Sequence, residues 1–88
     1  MGISRTVTIV NRKGLHARPA ASFVKLASQF DCRIRIREGD RDVDGKSIMG
    51  MMMLAASQGA KITIDTDGQD ELSAIDSLSN LVAEGFNE

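Results

Sequence analysis

The hydrophobic and polar positions of the chain follow two periods that alternate along its length. A period of two, typical of half-buried strands, runs through four segments: residues 3–10, 32–37, 41–44 and 61–66. A helical period predicts three further elements: residues 17–29, a short helix from an N-cap at Ser47 to about Ala56, and a last helix with the apolar stripe Leu72, Ile75, Leu78, Leu81, Val82 and Phe86. Pro19 is compatible with the first helix because it lies in the first turn.

The resulting order of elements, βαββαβα, predicts the fold class. Strands with one apolar face form an antiparallel sheet that leaves its other face in water. The helices then cover the apolar face, which gives an α/β (α+β) fold: a two-layer open-faced sandwich with a four-stranded antiparallel sheet covered on one face by three helices. With 88 residues and no linker, the chain is expected to form a single domain over residues 1–88.

Charge and composition argue against nucleic-acid binding. Eleven Lys and Arg residues are balanced by twelve Asp and Glu residues, and aromatic residues make up only 3%. Nucleic-acid binders usually carry a basic excess, and single-strand binders add aromatic side chains that stack on bases. Arg33, Arg35 and Arg37 alternate on the outer side of the second strand. We interpret them as a solvated face balanced by nearby acids, and a phosphate- or nucleic-acid-binding surface is the alternative.

The sequence also predicts a cytoplasmic protein without a metal or cofactor. No run approaches the ~20 apolar residues of a membrane span, and the first residues lack the basic-then-apolar order of a signal peptide. The single cysteine, Cys32, cannot form an intramolecular disulfide, which suits a reducing compartment, and it is expected to be a small core residue. One histidine and one cysteine do not supply the three or four ligands of a zinc site.

His16, the only histidine, stands directly before the first predicted helix. The N–H groups of a first helical turn have no acceptor inside the helix, and with the positive end of the helix dipole they favour an anion. Because Pro19 has no N–H, the available donors are the backbone groups of Ala17 and Arg18, and the Arg18 guanidinium adds donors suited to phosphate. The same surroundings disfavour an imidazolium and favour a neutral, nucleophilic ring nitrogen.

Residue types alone leave the role of His16 open. A Ser-His-Asp or Cys-His catalytic unit needs a positioned partner, and no motif in the chain supplies one. A histidine that caps the helix, or is merely exposed, accounts for the pattern as well as phosphate chemistry does.

Two short blocks of sequence resemble motifs of a known family. The first, GLHARPA at residues 14–20, combines a His with Arg and Pro at fixed offsets, and the second is GKSIMG at residues 45–50. They resemble the active-site motif and the regulatory-serine segment of the phosphocarrier protein HPr family, which belongs to the phosphoenolpyruvate-dependent phosphotransferase system. The length, the spacing of the blocks and the order of elements are also similar to that family over nearly the whole chain.

The resemblance implies a phosphoryl carrier. His16 would accept a phosphoryl group on Nδ1 from a phosphohistidine of enzyme I and pass it to a histidine of an EIIA-type acceptor domain. Arg18, with the backbone N–H groups of Ala17 and Arg18, would stabilise the phosphate. Each transfer would exchange like bonds and be reversible, so the chain would be a covalent intermediate rather than a free-standing enzyme. The chain is also expected to be a monomer.

Ser47 has two compatible interpretations. As an N-cap it stabilises the short helix by ~1 kcal/mol. The resemblance implies in addition that a dedicated HPr kinase/phosphorylase phosphorylates it. A phosphate at this position would meet a helix N-terminus and Lys46.

Helical wheels predict which helix faces are buried and which meet partners. The inward positions are Ala20, Phe23, Leu26, Ala27 and Phe30 in the first helix and Met51, Leu54 and Ala55 in the short one. The outward positions, near His16, are Ala17, Ala21 and Val24 in the first helix and Ile48, Met49, Met52 and Met53 in the short one. We interpret the outward set as a docking surface for enzyme I and EIIA domains, and a short helix buried all round is the alternative.

The branch of the phosphotransferase system stays open. The ending EGFNE at residues 84–88 resembles the nitrogen-related form of the carrier, whereas KSIMG at residues 46–50 resembles the serine-regulated sugar-branch form. A regulatory docking module of a nitrogen or carbon control relay is therefore an alternative to a carrier in sugar uptake. A small anion- or RNA-binding domain that uses the arginines is a third hypothesis.

Overall fold

The computed structural model describes residues 2–54 and 56–87. The strands are β1 (Gly2–Thr8), β2 (Arg33–Glu38), β3 (Arg41–Asp44) and β4 (Lys61–Asp67). The helices are α1 (Ala17–Ala27), α2 (Ile48–Leu54) and α3 (Glu71–Ala83), followed by a 3₁₀ turn at Gly85–Asn87. The inward orientation predicted for Ala55 falls outside the described residues, as does Glu88 of the C-terminal block.

The strands form one antiparallel sheet, as the pattern of the sequence predicted, and their order in the sheet is β1-β4-β2-β3. Ile36 of β2 lies opposite Ile64 of β4, and both side chains are completely buried. The inner face of the sheet packs against apolar residues of the helices, which include Phe23, Ala27, Met51, Ile75, Leu78 and Val82. The predicted α/β two-layer sandwich with three helices is therefore confirmed.

The edge strand β1 is shorter than predicted and carries a charge on its inner side. It ends at Thr8, although Ile9 is buried and exchanges backbone hydrogen bonds with Gly59 and Ala60. Arg5 shares the inward register of β1 and reaches Asp76 of α3, with 2.9 Å between Nη1 and Oδ1. An inward-pointing charge of this kind discourages a second sheet from adding to an open edge.

The prediction that Leu72 and Phe86 belong to the buried stripe of the last helix is wrong. Leu72 lies in the first turn of α3 and is 63% exposed, so it is not part of the buried stripe. Phe86 is buried but lies beyond the helix, with a left-handed backbone (φ 59°). Gly85, at φ 66°, ends the helical course as glycines after helix ends commonly do, and the chain folds Phe86 back onto the core.

The arginines of β2 and the cysteine beside them behave as expected for a solvated face and a core residue. On the open face Arg35 pairs with Asp42 at 2.9 Å, and Arg37 pairs with Asp65 at 2.6 Å. The Arg37 guanidinium holds the pKa of the Asp65 carboxyl below its usual range. Cys32 is buried, and desolvation raises the pKa of its thiol to about 11, which leaves an inert side chain at neutral pH.

Candidate functional site

His16 lies where the loop after β1 becomes helix α1. It occupies the N-cap position with an extended backbone (φ −84°, ψ −171°), and its carbonyl accepts the Ala20 N–H at 3.1 Å. The imidazole makes no capping hydrogen bond to the helix, and the residue is half-buried. The ring is therefore held at the surface by its backbone and is not consumed as a helix cap.

Two backbone donors and one guanidinium accompany His16. Within residues 2–54 and 56–87, the N–H groups of Ala17 and Arg18 have no acceptor, as expected for a first helical turn. Pro19 occupies the next position, and its side chain is buried. Because N–H groups of the first turn have no acceptor within the helix, the missing N–H of the proline costs the helix no hydrogen bond. Arg18 is exposed and lines the same surface depression as His16.

The turn that leads into His16 requires a glycine. Gly14 has a left-handed backbone (φ +65°), and a Cβ there would lie 2.3 Å from the Ala56 carbonyl oxygen. The close approach lets the Leu15 N–H donate to that same oxygen at 2.8 Å. The leucine side chain is then buried in the core, so His16 follows two residues whose positions are fixed.

Arg12 and Lys13 also line the depression that contains His16 and Arg18, and the sequence analysis did not single them out. Both are exposed, and no carboxylate of the described ranges pairs with them. The available signal was two consecutive basic residues just before the glycine of the first motif. With Arg18 they make the depression cationic, and we call Arg12, Lys13 and Arg18 the cationic rim.

Ser47 caps α2 as predicted. Its Oγ accepts the Gly50 N–H at 3.1 Å, and its backbone carbonyl accepts the Met51 N–H at 3.0 Å. Lys46, expected to face a phosphate at this position, instead donates from Nζ to the carbonyl of Phe30 at 2.6 Å. That contact joins the chain beyond the end of α1 to the start of α2.

Helix α2 exposes one apolar face and buries the other. Met51 and Leu54 are buried. The exposed residues, which we call the apolar patch, are Ile48 (45%), Met49 (76%), Met52 (44%) and Met53 (65%). The alternative of a short helix buried all round is therefore wrong.

Helix α1 agrees with its wheel in most positions. Ala20, Phe23 and Ala27 are buried, whereas Ala17 and Ala21 are exposed. Leu26 and Phe30, expected to face the sheet, are only partly buried at the margin of the core, and Val24, expected outside, is partly buried as well. Leu26 and Val24 lie near the boundary of the apolar stripe, where the wheel discriminates least, and Phe30 lies beyond the end of α1.

The described ranges contain neither a candidate metal centre nor a membrane-spanning helix. Residues 2–54 and 56–87 contain no group of three His, Cys, Asp or Glu side chains that could hold a metal ion. Nor does any helix in those ranges have the length and apolar character needed to cross a membrane.

Comparison with known proteins decides the family. A family profile described as the phosphotransferase-system HPr component, phosphorylation site, matches residues 3–84. The chain belongs to the HPr family. It is a phosphocarrier of the phosphotransferase system, and its partners are proteins of that system.

HPr proteins of known name and structure match nearly the whole chain. The phosphocarrier protein HPr of Cupriavidus necator is 46% identical over 86 residues, covering 98% of this chain and 97% of that protein. The HPr of Pseudomonas putida is 45% identical, covering 97% and 96%. The crystal structure of HPr-C-His from Thermoanaerobacter tengcongensis has a TM-score of 0.94 at 43% identity, covering 98% and 97%.

One similar HPr structure is a dimer. It comes from Thermoanaerobacter tengcongensis and has a TM-score of 0.79 at 44% identity, covering 93% of this chain and 94% of that one. A dimer is therefore known for an HPr of this fold.

Proposed function

We propose that His16 is the residue that carries the phosphoryl group. It accepts the group on Nδ1 from a phosphohistidine of enzyme I and passes it to a histidine of an EIIA-type domain. The observation that carries the proposal is the placement of one half-buried imidazole in a depression lined by the cationic rim, beside the N–H groups of Ala17 and Arg18. The whole chain, residues 1–88, acts as one such carrier.

The chemistry asks little of the carrier beyond position and charge. In the forward step a bond forms between phosphorus and the ring nitrogen of His16, and the bond from phosphorus to the donor histidine breaks. The transferred group carries negative charge on its oxygens, which the two backbone N–H groups and the Arg18 guanidinium can receive. Donor, carrier and acceptor hold the group in the same kind of P–N bond, so the step runs in both directions.

An open depression suits this reaction because the partner completes the site. The patch on α2 and the exposed alanines Ala17 and Ala21 offer apolar area for a partner to cover. With Val24 at the margin, these residues form the docking surface for enzyme I and EIIA domains. Their contact excludes water from the transferring group, which strengthens every electrostatic interaction at the site.

Incubation with enzyme I and labelled phosphoenolpyruvate tests the assignment. Native protein should acquire label that is labile in acid and stable in alkali, and a folded His16→Ala variant should acquire none. No second histidine can substitute. Equal labelling of the two proteins would refute the proposal.

Ser47 is proposed as a second, regulatory phosphorylation site for an HPr kinase/phosphorylase. Its support is that the half-buried cap lies directly before Ile48 and Met49 of the apolar patch. A charge placed there would disturb docking with enzyme I, which takes place on the same face. Ser47→Asp should slow phosphoryl transfer from enzyme I while Ser47→Ala, which loses only the cap, leaves the rate near the native value; equal rates for both would leave Ser47 as a cap only.

The carrier is further proposed to act in the cytoplasm as a monomer. Enzyme I and EIIA domains then approach the same docking surface in turn. Sedimentation of the native protein with and without enzyme I tests whether the carrier is a monomer. A stable homodimer that still transfers phosphate would contradict this proposal.

A further inference from the structure

The side chain of Asn11 holds together the turn that leads into His16. Asn11 is only 8% exposed. Its Nδ2 donates to the Gly14 carbonyl at 2.8 Å, and its own carbonyl accepts the Gly14 N–H at 3.1 Å. Asn11 therefore closes the turn twice, once through the backbone and once through the side chain, across the same four residues.

The Gly14 carbonyl links Asn11 to His16. That oxygen accepts the Asn11 amide and also the His16 N–H, at 3.0 Å. A carbonyl oxygen has two lone pairs, so these two donors use both. The orientation of the Gly14 carbonyl therefore constrains the position of the His16 backbone.

The peptide plane between Gly14 and Leu15 is fixed on both of its sides. In a trans peptide the carbonyl and the following N–H point in opposite directions. Here the carbonyl is held by Asn11, and the Leu15 N–H is held by the Ala56 carbonyl at 2.8 Å. Rotation of this plane would break both contacts and would displace the His16 backbone with them.

The turn closed by Asn11 also presents two of the three residues of the cationic rim. Arg12 and Lys13 are the two central residues between Asn11 and Gly14, and both line the depression of His16. Holding the turn therefore orders two cations and one nucleophile at once.

We infer that Asn11 is a positioning residue for phosphoryl transfer: through the Gly14 carbonyl it sets the orientation of His16 and of Arg12 and Lys13. This inference rests on the proposed role of His16. Asn11 itself need not touch the phosphoryl group. Its effect should therefore appear in the rate of the transfer step rather than in the docking of partners.

The test compares Asn11→Ala with Thr66→Val in phosphoryl transfer from enzyme I, with the carrier as the varied substrate. Thr66 is the matched control because its buried Oγ1 likewise donates to a backbone carbonyl, that of Glu71 at 2.9 Å. It lies opposite Ile3 of β1, at the other end of the sheet from the Asn11 turn. Each variant loses the side-chain-to-backbone hydrogen bond described for it, but only Asn11→Ala loses that bond near His16.

Asn11→Ala should lower kcat about tenfold or more and leave KM for the carrier within about twofold, since the apolar patch is untouched. Thr66→Val should leave both constants unchanged. A native kcat for Asn11→Ala, or a loss confined to KM, would overturn the inference. His16→Ala is measured in parallel: label on that variant refutes the proposed function, whereas no label on it together with a native Asn11→Ala refutes only the role of Asn11.

Amide hydrogen exchange of the native protein gives a second test that needs no folded variant. If Asn11 holds the turn, the N–H groups of Gly14, Leu15 and His16 should exchange far more slowly than those of Arg12 and Lys13. Exchange of all five at the same fast rate would show that the turn is not held, and the inference would fail.

Discussion

The cationic rim at the His16 end and the three arginines that β2 presents on the open face of the sheet differ in their surroundings. On the sheet, two of the three arginines, Arg35 and Arg37, are paired with Asp42 and Asp65. At the His16 end, no carboxylate within residues 2–54 and 56–87 pairs with the cationic rim. Paired charges cancel one another and leave a solvated surface, whereas unpaired charges attract an anion.

The two surfaces also differ in their apolar content. The outward positions of β2 are charged throughout, whereas the apolar patch on α2 exposes four large side chains. Exposed apolar residues grouped in this way are typical of surfaces that a partner covers, and methionine adapts its shape to more than one partner. The combination of the proposed nucleophile His16, unpaired cations and an apolar patch distinguishes the proposed functional surface from the open face of the sheet.

The largest effect is expected from Gly14→Ala compared with Gly39→Ala. Both glycines have left-handed backbones, so alanine costs each about 1–2 kcal/mol in unfolding free energy. At Gly14 the new Cβ would also lie 2.3 Å from a backbone oxygen, whereas at Gly39 nothing lies within 4 Å. Gly14→Ala should therefore lose much more stability in urea denaturation and most of its phosphoryl transfer, and Gly39→Ala should transfer normally. Equal behaviour of the two variants would show that the His16 turn is not specially constrained.

The next effect is expected from a charge on the apolar patch. Burying Met49 at an interface contributes roughly 1–2 kcal/mol, so Met49→Glu should raise the Kd for enzyme I by about tenfold or more. Leu72→Glu is the control, because Leu72 is a similarly exposed apolar side chain on α3. Calorimetric titration with enzyme I measures both, and thermal midpoints should stay close to the native value. A large loss of stability in Met49→Glu, with binding intact, would place Met49 in the core.

A smaller effect is expected from removing one unpaired cation. Arg18→Ala should slow phosphoryl transfer in both directions by about fivefold to tenfold, in line with the loss of a charge-assisted hydrogen bond. Arg35→Ala, from the open sheet face, should leave the rates unchanged. Stability of Arg18→Ala should remain within ~0.5 kcal/mol of native, as for other exposed positions. Rates that are the same in both variants would remove Arg18 from the site.

The smallest effect on function, and a distinct dependence on pH, is expected at Arg37. The pKa of Asp65 is lowered by the Arg37 hydrogen bond, so the pair stabilises the fold above the unfolded carboxyl pKa of about 4, and this contribution is lost as pH falls through the lower, folded value. Arg37→Ala should therefore have a lower urea midpoint than native at pH 7, and the difference should shrink in acid. Phosphoryl transfer at pH 7 should be unaffected; slowed transfer would give the open face a functional role.

Local patterns were enough to predict most of the fold. Alternation predicted the four strands, and the helical wheel separated the buried Met51 from the exposed Met49. His16, Arg18 and Ser47 were singled out because each stands at or near a helix start, where backbone N–H groups lack acceptors. Their roles in phosphoryl transfer and regulation came from the resemblance to the HPr family, because the residue types alone left the role of His16 open.

The features that were missed depend on contacts between distant segments. The sequence analysis did not single out Asn11, because its role depends on its contact with the Gly14 carbonyl and on the contact of Leu15 with Ala56, which lies beyond α2. Phe86 was placed in the helix because its spacing fits the stripe, although Gly85 ends the helical course before it. Leu72 fits the same stripe but lies in the first turn of α3, where its side chain is exposed and does not pack against the core.

The most direct measurement locates the phosphoryl group on the native protein after incubation with enzyme I and phosphoenolpyruvate. Phosphorus-31 NMR in alkaline solution, followed by mass mapping of the labelled peptide, should find one phosphoryl group per chain, on Nδ1 of His16. The signal should disappear in mild acid and should be transferred when an EIIA domain is added. A phosphoryl group on any other residue, or one that survives acid treatment, would contradict the account.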